Sequence, residues 1–255
     1  MTPTPTRFFT LGISHFCEKA RWALDWHGLP YIEENWAIGA HGILAKLYGA
    51  SATTLPILLD GKTVVQGSGD IIDWADRNGR TRERSLTADH AREIERRADT
   101  LIGVHVRRLA YAAMLPTQGH LVKAEISRGL SSAQRVVCSL MWPVSRRIMM
   151  CAMDITPEAA SESRAILETE LDWLDSQIAD GRPHLAGDRF SRADIAVASL
   201  LAPLARPKEM PVFHNMTVPA SLVADHERWR ERPVMHFVAA QYRHRHQRQV
   251  SACAG

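Results

Sequence analysis

Near the start of the chain stand three residues of types that handle protons and sulfur: Ser14, His15 and Cys17. They follow a short apolar run, Arg7 to Leu11, that carries Phe8, Phe9 and Leu11 and breaks at Gly12. After them Phe16, Ala20, Ala23, Leu24 and His27 recur at helical spacing, and Gly28 stops the pattern. The spacing predicts Ser14 as the cap of this helix. A hydroxyl donor and a helix N-terminus together favour an anion, a thiolate in particular. The plain alternative is a cap with no further duty. Cys17, in the first turn, reads either as a redox or thiol-transfer nucleophile or as a half-buried packing residue. His15 reads as a donor to a thiolate or to an acidic substrate, or as a solvated histidine at a helix start.

A second anion-binding candidate is Ser68, which opens a helical stretch to Asn78 containing Ile71, Ile72, Trp74 and Ala75. Helix starts bind anions; the simpler role is a plain N-cap. Leu55 to Leu59, then Asp60-Gly61, then Lys62 to Val65 predict a hairpin with a type I′ turn. Pro30 to Asn35 suggests another short strand, while Gly39, Gly42 and Gly49 point to an irregular or weakly helical linker over 37–50. The first eighty residues therefore order as β-α-β-(α)-β-β-α.

Beyond a polar linker at 80–87, helices dominate. One long helix is expected over 88–115, ended by Pro116, and another mostly helical stretch over 119–150, with Pro143 starting or kinking a turn. Thr156-Pro157 is a strong helix start. Its helix carries Ile166, Leu167, Leu171, Leu174 and Ile178 on one face. Ser191 and Asp194 form the pattern of a capping box, with Phe190 placed to staple against Ile195. A last helical pair covers about 219–231 and 234–242.

Bulk properties narrow the function classes. The 255 residues are 45% hydrophobic and 23% charged, the balance of an ordinary globular protein. No run of 18 apolar residues occurs, so no membrane span is expected, and the first six residues do not read as a signal peptide. Four scattered cysteines without a CxxC pair argue for a reducing cytoplasm, and against both a disulfide framework and a metal site. A net charge of +3 lacks the concentrated positive patch that nucleic-acid binding needs. The one basic cluster, Arg243 to Arg248, reads as a solvated tail.

Several motifs together resemble the glutathione S-transferase superfamily. They are Ser14-His15-Phe16-Cys17-Glu18-Lys19-Ala20-Arg21-Trp22-Ala23-Leu24, Leu55-Pro56 before an antiparallel hairpin, the Ser68-x-x-Ile71 helix start, and Leu185-Ala186-Gly187-Asp188-x-Phe190-Ser191-x-Ala193-Asp194. The resemblance covers roughly residues 7–242. It implies an α/β thioredoxin-like, glutathione-binding domain over 1–79, a linker at 80–87, an all-helical domain over 88–242 and a flexible basic tail at 243–255.

On that resemblance Ser14 matches the hydroxyl of serine-type transferases, and Ser14-x-x-Cys17 resembles a thioredoxin redox pair whose leading cysteine is replaced. A generic thiol pKa near ~8.5 must fall by about 2 units, which takes roughly 2.7 kcal/mol. One hydrogen bond to a charged group supplies about 1.5–3 kcal/mol. Pro56 matches a cis proline that turns the backbone of Leu55 toward the cysteinyl unit of glutathione, and Ser68 matches the residue holding the γ-glutamyl carboxylate. Family members place Glu or Gln just before that serine; here the position is Gly67, which leaves Gln66 or Asp70 to meet the γ-glutamyl ammonium. Asp194 is implied to be structural.

The resemblance also implies a second-substrate pocket walled by His105, Arg108, Tyr111, Ala112 and Leu115, with Met141, Trp142, Met149, Met150 and Met153 as further lining or core. The implied activity is a glutathione-dependent transferase that attacks a hydrophobic electrophile in detoxification. A glutathione-dependent isomerase or lyase, or a non-catalytic binding protein of the same fold, are the alternatives. A homodimer is expected, with Trp74 and the arginines around 92–97 as candidate surface.

Overall fold

The computed structural model describes residues 5–79 and 85–245. The expected N-terminal lead, most of the 80–87 linker and nearly all of the basic tail lie outside the described residues. Two compact units divide the rest: one takes the residues up to Ser85 together with Lys123–Ser145, the other Leu86–Val122 with Arg146–Arg245.

The first unit is built on a four-stranded sheet in the order β2-β1-β3-β4. Its strands are β1 (Arg7–Thr10), β2 (Ile32–Asn35), β3 (Ile57–Asp60) and β4 (Thr63–Gln66). β2 runs parallel to β1, joined through helix α1 (His15–Trp26), while β3 and β4 pair antiparallel as a hairpin whose turn is Gly61-Lys62, not Asp60-Gly61; Asp60 still pairs with Thr63, and only Gly61 has positive φ (+59°), so the expected type I′ turn does not form. Successive side chains of a strand face opposite ways, so Phe8 and Phe9 of β1 serve different layers. Phe8 meets Tyr31 edge-on at 5.6 Å, and Phe9 stacks on Trp36 at 4.2 Å. Helix α3 (Ser68–Asn78) packs against α1.

Residues 37–50 are more ordered than the linker expected there: α2 (His41–Leu47) forms among them. Gly39 and Gly49 fall outside the helix, and Leu44, Ala45 and Tyr48 pack onto the cluster of Phe9, Trp36, Ala50 and Ile57. Tertiary burial outweighs the cost of the single internal glycine, about 1 kcal/mol.

The second unit is helical. The expected long helix begins as α4 (Ala91–Arg97), widens into a π segment at Ala98–Gly103, and continues as α5 (Val104–Ser127). Pro116 lies inside it, and the helix kinks two residues later, where the backbone leaves helical geometry at Gln118 (φ −122°, ψ 31°). The guanidinium of Arg146 donates to the carbonyls of Leu115 and Pro116, both at 2.7 Å. The break at Gln118 takes these two carbonyls out of the helical ladder, and the Arg146 side chain satisfies them; the missing proline N–H concerns Ala112 instead.

Helix α6 (Ser132–Ala152), whose residues up to Ser145 belong to the first unit, runs through Pro143. Helix α7 (Pro157–Gln177) starts at the Thr156 cap, whose hydroxyl accepts from the Ala159 N–H at 3.1 Å. Leu167, Leu171 and Leu174 of its predicted apolar face are fully buried.

The centre of this unit is α8 (Arg192–Ala205), packed on α4, the π segment, α10 (Ala220–Trp229) and α11 (Pro233–His244). A short α9 (Pro211–His214) follows it. The Ser191–Asp194 capping box is present. Asp194 is fully buried and accepts from the N–H groups of Leu185 and Ser191, each at 2.8 Å, and from the Ser191 hydroxyl at 2.9 Å. Beside the box, buried Arg192 pairs with buried Glu95 of α4. Phe190 meets His184 edge-on at 5.8 Å. Among the described residues no single helix is long and apolar enough to cross a membrane.

Candidate functional site

Register brings three of the predicted positions to one end of the sheet's strands. Phe9 of β1 faces Ile57 of β3, and Ile57 faces Gln66 of β4. The turn from β1 to Ser14, the Leu55-Pro56 approach to β3, and the Gly67-Ser68 exit from β4 therefore leave from the same end. A hydrogen bond from the Gly67 N–H to the Pro56 carbonyl, 3.0 Å, ties two of them together. The Leu55-Pro56 bond is cis. Among the described residues the Leu55 main chain makes no hydrogen bond, so its N–H and C=O stand available to a ligand strand.

Ser14 is half-buried and caps α1, its Oγ accepting from the Cys17 N–H at 3.2 Å. Capping uses a lone pair and leaves the O–H as a donor. The cap and the donor roles read from sequence are thus compatible in one residue.

Cys17 is fully buried. Burial pushes its thiol up to about 11, against the weaker opposing pull of the Ser14 side chain. Full burial with a raised thiol favours the packing reading of Cys17 over the redox one. Alkylation at neutral pH should modify exposed Cys151 while sparing Cys17 and Cys138 until the protein unfolds. Peptide mapping after iodoacetamide checks this, and rapid labelling of Cys17 in the folded protein would contradict it.

His15 is not the solvated residue expected: it is 4% exposed, with its ring 4.8 Å from that of Phe16.

Beneath the cap lies a charge network that sequence reading missed. Arg21 donates to Glu33 at 2.9 Å and also pairs with Glu18, while Thr10 donates to Glu33 at 2.8 Å. The sequence signal was faint: charged residues three apart on α1 and a carboxylate in β2, which only the fold brings together.

Ser68 is the first residue of α3 and 6% exposed; the N-cap itself is Gly67. The plain-cap role expected of Ser68 therefore passes to Gly67, whose φ of +100° suits glycine and strains other residues.

Gln66 is committed elsewhere. Its Oε1 accepts from the Ser51 hydroxyl and the Ala52 N–H, and its Nε2 donates to the carbonyls of Ala52 and Thr54, at 2.8–3.0 Å. That clamps the loop leading to Leu55 and exhausts the amide. Asp70 differs: a Cβ added at Gly67 would lie 4.0 Å from its Oδ2. With Gln66, Asp73 and Arg77 it lines a recess of about 410 Å³.

The matching profiles of known families agree with this arrangement. The glutathione S-transferase N-terminal domain model matches residues 8–83, and the glutathione S-transferase C-terminal domain model matches 157–231. The chain belongs to the glutathione S-transferase superfamily.

Solved glutathione S-transferase folds resemble it over nearly their whole length. A glutathione S-transferase of Ceriporiopsis subvermispora, solved in complex with glutathione, superposes with a TM-score of 0.65 at 15% identity, covering 97% of this chain and 100% of that one. A glutathione transferase of Phanerochaete chrysosporium gives 0.59 at 17%, covering 98% and 100%. A β-etherase of Sphingobium sp. strain SYK-6 gives 0.57 at 16%, covering 93% and 100%. No curated protein matches the chain in sequence.

The residues expected to wall a second-substrate pocket of this transferase fold do not share one environment within the helical unit. His105 is buried with its Nδ1 3.0 Å from the Ser163 hydroxyl, and burial holds its pKa below the usual histidine value. Arg108 donates to the Met153 carbonyl at 3.0 Å. Leu115 is fully buried and Tyr111 half-buried. Ala112 lines a cavity of about 280 Å³ with Leu109, Pro116, Pro157 and Ala160. Trp74, expected on a pairing surface, is 8% exposed in its own unit, and Arg97 is held by Glu170 at 2.7 Å.

Proposed function

We propose that this protein is a glutathione-dependent transferase in which Ser14 stabilises the glutathione thiolate for attack on a small hydrophobic electrophile. The observation that carries this reading is the convergence at one end of the strands of the Ser14 cap, the Leu55 main chain before Pro56, which makes no hydrogen bond among the described residues, and Ser68 at the start of α3. The Ser14 O–H donates to the sulfur. Leu55 pairs with the cysteinyl main chain. Ser68 and the first N–H groups of α3 receive the γ-glutamyl carboxylate. Superfamily membership and the glutathione-bound relative support glutathione as co-substrate. A cytoplasmic setting and a detoxifying role belong to the same reading.

Asp70, not Gln66, takes the γ-glutamyl ammonium. Its carboxylate stands beside the point where a residue-67 side chain would begin, while the Gln66 amide is spent on the 51–54 loop. Asp70→Asn is expected to weaken S-hexylglutathione binding about 10- to 100-fold, the worth of one hydrogen bond to a charged group. Calorimetric titration reads it, and an unchanged affinity would remove Asp70 from the site. No binding by the unaltered protein at millimolar ligand would sink the transferase reading and leave a non-catalytic binding protein. Because a β-etherase shares the fold, aryl ethers join halides and activated alkenes in the electrophile screen, where ether cleavage would shift the assignment to a lyase.

A further inference from the structure

The turn that delivers Ser14 is supported from outside itself. It runs from Leu11 to Ser14 and is closed by the Ser14 N–H, which donates to the Leu11 carbonyl at 2.9 Å. Its second residue, Gly12, has no side chain to anchor it. A Cβ added there would lie 3.8 Å from the Asn35 amide and 3.9 Å from the Arg128 carbonyl. The turn therefore rests on the end of β2 and on the turn between α5 and α6, and both belong to the first unit.

Asn35 is the last residue of β2 and pairs in register with Thr10 of β1. Its half-buried side-chain amide lies 3.0 Å from the Thr10 hydroxyl. From the other side the α5–α6 turn closes on the same amide. Gly129 has a φ of +81°, and a Cβ there would stand 2.8 Å from the Asn35 Nδ2. A side chain at 129 would both strain the backbone and push the amide.

The α5–α6 turn is stiff for a local reason. The Ser131 hydroxyl accepts from the Gln134 N–H at 3.3 Å, and the Gln134 Oε1 accepts from the Ser131 N–H at 2.9 Å. This reciprocal pair is a capping box with glutamine at its third helical position. The Nε2 of the same glutamine donates to the Asn35 carbonyl at 3.2 Å. One residue fixes both its own helix start and the end of β2.

A hydroxyl that stabilises a thiolate must be held at hydrogen-bond distance, and a displacement of about 1 Å costs on the order of 100-fold in rate. We propose that Asn35 is a positioning residue for Ser14, clamped between the β1–α1 turn and the α5–α6 turn. The inference rests on the transferase reading and adds to it the part that holds the thiolate donor in place.

The test uses the full chain and four variants: Asn35→Ala, Gly129→Ala, the two combined, and Gly181→Ala. Gly181 is the control. Its φ is +77° and an added Cβ would meet nothing within 4 Å, so it carries the backbone strain of Gly129→Ala without the contact. Thiolate ultraviolet absorbance of the glutathione complex against pH is one readout, and amide hydrogen exchange of residues 11–17 is the other. Asn35→Ala and Gly129→Ala should each raise the pKa of bound glutathione by about 0.5–1 unit and speed the exchange about tenfold. Glutathione affinity should change by less than about threefold, because Leu55 and Ser68 hold the peptide. Gly181→Ala should move none of these. In the combined variant Gly129→Ala should add no further shift, since the amide it would push is gone. A bound-glutathione pKa unmoved in Asn35→Ala, even with faster exchange, or moved equally by Gly181→Ala, overturns the inference and leaves the transferase reading standing. An unaltered chain that binds no glutathione at millimolar concentration removes both.

Discussion

Ser14→Ala should raise the pKa of bound glutathione by about 1–2 units and lower the turnover at neutral pH by about 10- to 100-fold, with a smaller change in glutathione affinity. The magnitude follows from removing one hydrogen bond to a charged sulfur, worth about 1.5–3 kcal/mol. The sign follows from which form is stabilised: Ser14 favours the thiolate, so its loss favours the thiol and moves the acid limb of the pH–rate profile upward. A structural cap predicts something else. Losing the acceptor for the Cys17 N–H costs about 0.5–2 kcal/mol of stability and moves no rate-limiting pKa.

Two measurements separate the roles. Thiolate ultraviolet absorbance of the binary complex against pH reports the pKa directly, and thermal unfolding reports the cap. Ser14→Thr, which keeps both the lone pair and the O–H, should restore most of the rate. A full rate and an unmoved profile in Ser14→Ala would reduce Ser14 to a cap and turn attention to the α1 N–H groups as the thiolate donors.

The largest expected loss of stability lies far from that site, at the buried pair of Arg192 and Glu95. Removing one member takes from the other, a buried charge, the counter-charge that faces it, a class of change that costs about 3–5 kcal/mol. For a chain of this size that is a fall of roughly 6–20 °C in the thermal midpoint. Glu95→Ala and Arg192→Ala should therefore be comparably destabilised, and the double variant should be less harmed than the sum of the two. Calorimetric scans of the three variants decide it. Additive losses would mean that the two groups do not share their energy and that the Arg192 main chain, bonded to the Leu86 carbonyl at 3.0 Å, holds the helix entry by itself. Asp194 sits in the same junction but satisfies N–H groups instead of a counter-charge, so its loss belongs to the capping class of effects.

Local patterning in the sequence determined the order of elements, the β3–β4 hairpin though not its turn type, the Ser14 and Thr156 caps and the Ser191–Asp194 box. Each is set within a few residues, by turn chemistry or by a side chain reaching its own helix start, so no distant contact is needed to read it. The motif order, in turn, was enough to place the chain in its superfamily.

What the tertiary structure alone decided depends on residues far apart in the chain. Helix α5 kinks two residues past Pro116, at Gln118, and there Arg146, thirty positions on, takes up the carbonyls of Leu115 and Pro116. Helix α2 forms among glycines because Phe9 and Trp36 offer it a surface to cover. Cys17 and His15 both prove to be buried, which the local sequence does not reveal. Gln66 is withdrawn from the ligand by loop atoms more than ten residues earlier, which leaves Asp70 nearest to the gap at Gly67. Short-range hydrogen bonds are written into neighbouring residues. Burial and the fate of a polar side chain are set by what the fold brings against it.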